Sequence, residues 1–243
     1  MQENRMQTGT NGLIADIPEE TLRRNLAQVM GVLRENAYRD GPPARLVAVT
    51  KTVEPAVINR LSALGAEDIG ENRAQVALPK LPLINPKLRL HWIGRLQTNK
   101  VKDIIDKVWM LHSLDRLALA EEIERRADRR GSALPALVQV NIAEETQKAG
   151  LSVDEVRPFL RRMKDYPALR IEGLMAIMPF IDDEDRLAGY FRGMRTLFDR
   201  LRQEAIPGIE MRELSMGMSH DYAIAAREGA TMVRVGTALY RTE

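Results

Sequence analysis

The chain has 243 residues, 44% of them hydrophobic and 29% charged, and a net charge of +2, which together indicate a soluble globular protein with no overall field to attract nucleic acid. It contains no cysteine, which excludes disulfides, thiolate metal sites and cysteine nucleophiles. No apolar run approaches the roughly 20 residues of a membrane span, and residues 1–11 do not resemble a signal peptide. We therefore expect a cytoplasmic protein with no nucleic-acid or membrane partner.

The first part of the chain predicts a tail followed by one helix. Residues 1–15 are expected to form a flexible N-terminal tail, ahead of a single domain that spans residues 16–243. Between Pro18 and Ala37, apolar residues recur at spacings of three and four, which predicts an amphipathic helix. The Gly-Pro-Pro segment from Gly41 then ends this helical pattern.

From Leu46 onward, short apolar runs of strand length alternate with helical patterns. The predicted strands are Leu46–Val49, Asp68–Gly70, Leu90–Ile93, Trp109–Leu111, Leu137–Ile142, Leu169–Met175, Met211–Ser215 and Met232–Val235. Ser113 is predicted to cap the helix after the fourth strand, and Ser152 with Glu155 has the spacing of a capping box. About eight strand-helix units predict an α/β fold, a single (β/α)8 TIM barrel with an extra N-terminal helix; an open doubly wound sheet is the alternative.

Lys51, directly after the first predicted strand, is the first candidate site residue. The carboxyl ends of the strands form the active face of such a barrel. A lysine between apolar walls at this mouth would be held as a neutral amine, ready to attack a carbonyl. The alternative is an ordinary lysine at a strand end that reaches water.

Two loops near the C-terminus form a candidate phosphate site. Gly217 and Ser219 precede a helical stretch that begins near Asp221, and Gly236 and Thr237 precede another. Backbone N–H groups at two helix starts can bind one dianion, and barrels often hold phosphate after strands seven and eight. The alternative is that Ser219 is simply a helix N-cap and Gly236 a turn residue.

Arg234 lies two residues before Gly236, so strand alternation places both on the same side of the strand. A buried arginine needs an acceptor, which could be a cofactor atom or a structural carboxylate. The three histidines, His91, His112 and His220, show no metal-ligand spacing, and we expect no metal site.

With these residues assembled, the chain resembles the YggS/PROSC family of pyridoxal 5′-phosphate (PLP) homeostasis proteins. The resemblance covers about Leu46 to Tyr240. It rests on seven ordered segments: LVAVTK from Leu46, GENRAQ from Gly70, HWIGRLQTNK from His91, VNIAEETQKAG from Val140, GLMAIMP from Gly173, SMGMSHD from Ser215 and MVRVGT from Met232. It implies a fold-type III PLP-binding barrel, similar to the N-terminal domain of alanine racemase.

The resemblance implies PLP as the cofactor and a set of residues that bind it. These are Lys51 as the covalent Schiff-base lysine, Arg234 as partner of the pyridine nitrogen, Ser219, Gly236 and Thr237 as phosphate binders, and Asn72, Met175 and Ser215 as pocket-lining residues. No catalytic residue is implied. The chain departs from the family pattern in the bulky segment His220–Tyr222 and in Arg241, where the family commonly has glycine.

The function implied by the resemblance is intracellular PLP homeostasis, in which the protein holds PLP and delivers it to apo PLP-dependent enzymes or buffers it. An arginine opposite the pyridine nitrogen leaves that nitrogen unprotonated, which makes PLP a weak electron sink. A PLP-dependent amino-acid racemase-like enzyme, with Tyr222 or Lys100 as second base, is the alternative. A third possibility is a barrel that binds a phosphorylated metabolite non-covalently. Without a second domain we expect a monomer.

Overall fold

The structure, a computed structural model, describes residues 7–8, 12–145 and 147–242. Ten strands are present in these residues: β1 (Gln7–Thr8), β2 (Ile14–Asp16), β3 (Arg45–Val49), β4 (Asp68–Glu71), β5 (Arg89–Trp92), β6 (Met110–Leu114), β7 (Leu134–Val140), β8 (Leu169–Ala176), β9 (Ile209–Ser215) and β10 (Met232–Val235). The α-helices are α1 (Glu19–Glu35), α2 (Pro55–Ala63), α3 (Ala74–Lys80), α4 (Val101–Ile104), α5 (Leu117–Arg125), α6 (Val153–Arg162), α7 (Glu184–Glu204), α8 (Tyr222–Arg227) and α9 (Thr237–Tyr240).

The strands β3 to β10 form a closed parallel barrel, in the order β10-β3-β4-β5-β6-β7-β8-β9. Closure is visible at β10, where Met232 pairs with Arg45 of the first barrel strand and with Ser215 of the preceding one. An open sheet has two unpaired edges, so this pairing excludes it. The predicted (β/α)8 barrel with an extra N-terminal helix is confirmed.

The extra helix α1 packs beside the end of the chain. Its buried residues Leu22, Leu26, Val29 and Leu33 follow the three- and four-residue spacing that predicted the helix. Asn25, on the same buried face, donates from Nδ2 to the carbonyl oxygens of Leu239 (3.1 Å) and Arg241 (2.9 Å). These bonds satisfy carbonyls at the end of α9, which would otherwise be unpaired.

The described residues before α1 make backbone hydrogen bonds, whereas a loose tail was expected there. The strand β2 pairs antiparallel with β1. Ile14 also donates its N–H to the carbonyl of Thr52 (2.8 Å), and Glu54 donates its N–H to the carbonyl of Ile14 (3.0 Å). Residues 12–16 therefore lie against the loop that follows β3, whereas residues 1–6 and 9–11 of the expected tail lie outside the described residues.

One predicted helix start is wrong. Ser113 lies within β6, and its hydroxyl donates to the carbonyl of Gly94 (2.6 Å), while α5 begins four residues later at Leu117. The prediction failed because β6 extends to Leu114, beyond the apolar residues from which the strand was predicted. Ser113 therefore bonds to the segment that follows β5 instead of capping a helix. The capping box at the start of α6 is confirmed: the N–H of Ser152 donates to the carboxylate of Glu155 (2.8 Å).

Apolar packing between the barrel and its helices can be tested on α5. Ile123 on the inner face of this helix is fully buried, whereas Glu121 on the same helix is exposed. Replacing Ile123 with alanine leaves a cavity, so we expect Ile123→Ala to lower the free energy of unfolding by about 2–5 kcal/mol in urea denaturation. Glu121→Ala should change it by less than about 0.5 kcal/mol. Equal effects of the two substitutions would contradict this packing.

Candidate functional site

A cavity of about 520 Å³ opens at the carboxyl ends of the barrel strands. This volume lies within the range of small-molecule sites. Six of the eight residues predicted for the site line it: Lys51, Asn72, Ser219, Arg234, Gly236 and Thr237. Because the eight strands end at one face, residues distant in sequence converge here.

Met175 and Ser215, which were expected to line the pocket, do not. Both side chains are fully buried below the cavity. Met175 belongs to an apolar cluster inside the barrel, together with Val47, Met110, Leu137 and Met232. Strand alternation points both side chains inward, but both are covered by other side chains rather than exposed at the mouth. Ser215 instead holds Arg234 from beneath.

Lys51 is the free amine of the cavity. Its side chain is exposed, and no hydrogen bond or ion pair engages its Nζ within the described part of the chain. The second lysine of the cavity, Lys148, is paired with Glu145 and donates to the carbonyl of Met178 (3.4 Å). The enclosed apolar surroundings expected for Lys51 are therefore absent, because the mouth is open to water above β3.

A buried ion pair supports the backbone on which Lys51 stands. Lys80, at the end of α3, donates from Nζ to the carbonyl of Thr50 (2.8 Å) and to Glu71 Oε1 (3.0 Å). The hydroxyl of Thr50 donates to the same carboxylate oxygen (2.7 Å). From another direction, Tyr240 donates its hydroxyl to the carbonyl of Val49, the last residue of β3 (3.0 Å), and burial, with the nearby charge of Glu71, raises the pKa of Tyr240. The last residues of β3 are thus fixed from two sides.

The two loops of the predicted phosphate site meet at Ser219. Its Oγ accepts hydrogen bonds from the N–H groups of Gly236 (3.1 Å) and Ala238 (3.3 Å) at the start of α9. Asp221, not Ser219, directly precedes α8, so Ser219 is not the N-cap of that helix. Gly217 has φ +93°, and a Cβ there would lie 2.4 Å from Ala225 Cβ, so only glycine fits at this turn.

Arg234 is a buried guanidinium held by neutral acceptors. Its Nη1 donates to Ser215 Oγ (2.6 Å) and its Nη2 to the carbonyl of Ala176 (2.8 Å). No carboxylate in the described residues pairs with it within 4.0 Å. Burial lowers the pKa of Arg234 to about 10, against the opposing charge of Asp221, so it remains protonated at neutral pH.

A chain of buried polar side chains continues below Ser215. Ser215 Oγ lies 3.0 Å from His112 Nδ1, His112 Nε2 lies 2.8 Å from His91 Nδ1, and His91 Nε2 lies 2.8 Å from Asp68 Oδ1. Burial, with the positive charges of Arg234 and Arg45, holds the pKa of His112 well below its usual value.

Asp68 at the lower end of this chain is ionised. Burial alone would raise the pKa of Asp68, but the hydrogen bonds from His91 and Arg89 and the charge of Arg89 hold it below its usual value. Sequence reasoning considered the histidines only as metal ligands. His91 of β5 and His112 of β6 are buried on adjacent strands, and two such histidines were a signal that a polar network crosses the barrel.

Several polar residues outside the predicted binding set also line the cavity, namely Arg95, Gln139, Asn141, Lys148 and His220. They come from β7 and from loops whose course the sequence does not reveal. The bulky His220 lies at the rim, with its ring 5.1 Å from that of the exposed Phe180. Within residues 7–8, 12–145 and 147–242, no group of three His, Asp or Glu side chains is placed to hold a metal ion, and no helix is long and apolar enough to cross a membrane.

Comparison with protein families and sequences gives consistent matches along the chain. A family model described as "Alanine racemase, N-terminal domain" matches residues 17–243. The pyridoxal phosphate homeostasis protein of Aquifex aeolicus (strain VF5) is 39% identical over 222 residues, which are 91% of this chain and 96% of that protein. The protein of the same name from Pseudomonas aeruginosa is 36% identical over 228 residues, 90% of this chain and 95% of that protein.

Solved structures of related proteins are also similar to this chain. PipY of Synechococcus elongatus PCC7942 with PLP bound has a TM-score of 0.79 at 32% identity, covering 90% of this chain and 100% of that one. The same protein without PLP has a TM-score of 0.82 at 33% identity, with the same coverage. Alanine racemase of Clostridium difficile 630 has a TM-score of 0.74 at 15% identity, covering 92% of this chain and 60% of that one, and shows similarity of fold alone.

The buried pair below Lys51 can be tested through stability. Lys80→Met leaves the Glu71 carboxylate buried without its cation, and Glu71 Oε2 already lacks a hydrogen-bond partner among the described residues. We expect the free energy of unfolding to fall by about 3–5 kcal/mol in urea denaturation. The matched control is Lys148→Met, which breaks a partly exposed pair and should cost less than about 1 kcal/mol. A loss below 1 kcal/mol in both variants would refute the structural role of Lys80.

Proposed function

Because this chain belongs to the family of pyridoxal phosphate homeostasis proteins, with the fold of the alanine racemase N-terminal domain, we propose that it binds PLP in the mouth cavity. The proposed function is intracellular PLP homeostasis. The observation that carries it is the free amine of Lys51, in one cavity with the buried guanidinium of Arg234 and the N–H groups around Ser219.

The first requirement is an amine that can react with an aldehyde. PLP supplies an aldehyde, which condenses with a neutral amine to a Schiff base with the loss of one water molecule. Lys51 is the proposed attachment point, because its Nζ has no competing partner in the described residues and faces the cavity. Lys148 is a poorer candidate, since its Nζ is paired with Glu145.

The second requirement is a phosphate site. The N–H groups of Gly236 and Ala238 both point at Ser219 Oγ and donate to it. Two donors that converge in this way can also bind an oxygen atom of a phosphate. A phosphate oxygen is a stronger acceptor than a hydroxyl, and the serine can donate to the same anion. Thr237, exposed beside these groups, can add a further donor.

The third requirement is a partner for the pyridine nitrogen. Arg234 lines the cavity and is protonated, so it can only donate. A pyridine nitrogen that accepts from it stays unprotonated and withdraws few electrons from a substrate carbanion. This favours holding and delivering the cofactor over catalysis, consistent with relatives that are named homeostasis proteins rather than enzymes.

The racemase-like alternative needs a second base at the mouth, and neither candidate is well placed. Tyr222 and Lys100 do not line the cavity. Burial raises the pKa of Tyr222, which disfavours the phenolate that a base requires. Lys100 lies beside Asp103, with 3.9 Å between Nζ and Oδ2.

We propose that the protein is a cytoplasmic, monomeric carrier that passes PLP to apo PLP-dependent enzymes through the open mouth of the barrel.

The attachment point can be tested by trapping. We expect Lys51→Ala to abolish covalent PLP after borohydride reduction, because reduction fixes only a cofactor bonded to an amine. The measurement is mass spectrometry of the intact protein and of its peptides. The control, Lys148→Ala, should be labelled like the unchanged protein. Equal labelling of Lys51→Ala would show that another amine reacts, and no labelling of the unchanged protein would favour a non-covalent phosphate-binding barrel.

The phosphate site can be tested by retention. Ser219→Ala removes a hydroxyl that would bond a charged group, a loss of about 1.5–3 kcal/mol, so we expect the Kd for PLP to rise roughly tenfold or more. The free energy of unfolding should change by no more than about 1.5 kcal/mol, because the freed N–H groups are at the solvent-accessible mouth. The exposed Ser132 provides the control variant Ser132→Ala, with no change in Kd. An unchanged Kd in Ser219→Ala would contradict the site.

A further inference from the structure

The barrel interior contains a continuous hydrogen-bonded chain of five side chains: Arg234, Ser215, His112, His91 and Asp68, linked by distances of 2.6, 3.0, 2.8 and 2.8 Å. Each of the five residues is at least 90% buried. Arg234 contributes to the cavity at the carboxyl end of the barrel, while Asp68 is the first residue of β4, at the opposite end. The chain therefore crosses the barrel.

The two ends of this chain fix the direction of its outer bonds, and with both histidines neutral they fix the direction of every bond within it. Arg234 can only donate, and the ionised Asp68 can only accept. Ser215 accepts from Arg234 and donates to His112 Nδ1; His112 then donates from Nε2 to His91 Nδ1, and His91 donates from Nε2 to Asp68. Both histidines are neutral in this arrangement. The opposite direction would need an additional proton on His91, inside the barrel.

This direction aligns the dipoles of the chain between two opposite charges. Each intermediate group presents its acceptor toward Arg234 and its proton toward Asp68. Hydrogen bonds in such a series polarise one another, so each strengthens the next. A buried guanidinium without a paired carboxylate is otherwise costly, because its charge has left water.

We propose that Asp68 is the remote counter-charge of Arg234, and that His91 and His112 are positioning residues that relay this charge to the cofactor site. The proposal rests on the proposed function only in assigning the cavity to PLP. A carboxylate directly on Arg234 would compete with the pyridine nitrogen for its N–H groups. The relay stabilises the guanidinium from below and leaves its cavity side available.

Other charged groups surround the chain and must be separated from it experimentally. At the lower end, Arg45 of β3 and Arg89 of β5 contact Asp68, and Arg45 also pairs with Glu213 of β9 (2.7 Å). Near the upper end, the charge of Asp221 acts on Arg234. Glu213 thus belongs to the same charged layer as Asp68 but not to the chain, which makes it a matched control.

The chain itself can be examined in the cofactor-free protein by NMR of ¹⁵N-labelled histidine. We expect His112 to be neutral at pH 7 with its proton on Nε2, and His91 to donate from Nε2 to Asp68. Protonation of His112 on Nδ1 at this pH would overturn the relay. Because no PLP is present, this result is independent of whether the protein forms a Schiff base.

The effect on the site can be measured in the PLP-loaded protein. Asp68→Asn keeps an acceptor for His91 but removes the charge, so the potential at the cavity becomes more positive and the protonated Schiff base less stable. The absorbance of the Schiff base changes with pH as it loses its proton, and we expect the midpoint of this change to fall by about half a pH unit. Glu213→Gln should shift it by less than about 0.2 unit, since that charge has no relay. Arg95, Lys148 and His220, which also face the cavity, are unchanged in both variants.

The relay makes one further prediction, which a direct through-space effect does not. In the background of His112→Phe, the substitution Asp68→Asn should no longer move the midpoint, because the chain is interrupted. A full shift in that background, or equal shifts in Asp68→Asn and Glu213→Gln, would overturn the proposal. The comparison of the two carboxylate variants stands even if His112→Phe does not fold, and a wild-type protein without any Schiff base would instead refute the proposed function.

Discussion

A positive charge buried inside the barrel is the constraint around which the site is organised. Arg234 has its guanidinium out of water, with a serine hydroxyl and a backbone carbonyl as its acceptors. Such a group is tolerated only when its donors are engaged and its charge is compensated. The polar side chains beneath it supply this compensation, and the remaining donor face meets the cavity.

Closure of the barrel brings Arg234 together with the other residues of the proposed binding site. Parallel strands in register place Lys51, Arg234 and Ser219 around one opening, although Lys51 and Arg234 lie 183 positions apart in the sequence. The buried pair of Lys80 with Glu71 fixes the strand end that carries Lys51, and Ser219 joins the last two loops. The site is therefore rigid where it would hold the cofactor and open where the cofactor would leave.

Much of this was predictable from the sequence, and the failures have identifiable causes. Eight apolar runs separated by helical patterns predicted the barrel, since periodicity survives without tertiary information. The depth of a side chain within the barrel could not be predicted, because strand alternation gives the direction of a side chain but not its height. Met175 and Ser215 were therefore predicted to line the cavity, whereas both are buried inside the barrel. The exposure of Lys51 and the polar chain through His112 depend on several strands at once, which no single segment encodes.

The central claim is that one cavity holds PLP through an amine, a guanidinium and two backbone N–H groups at the start of α9. A crystal structure of the protein grown with PLP tests it most directly. The account predicts continuous density from Lys51 Nζ to the cofactor, the pyridine nitrogen within hydrogen-bond distance of Arg234, and the phosphate at Ser219 and Gly236. An empty cavity with Lys51 turned to solvent, or PLP bound with its phosphate away from Ser219, would contradict it.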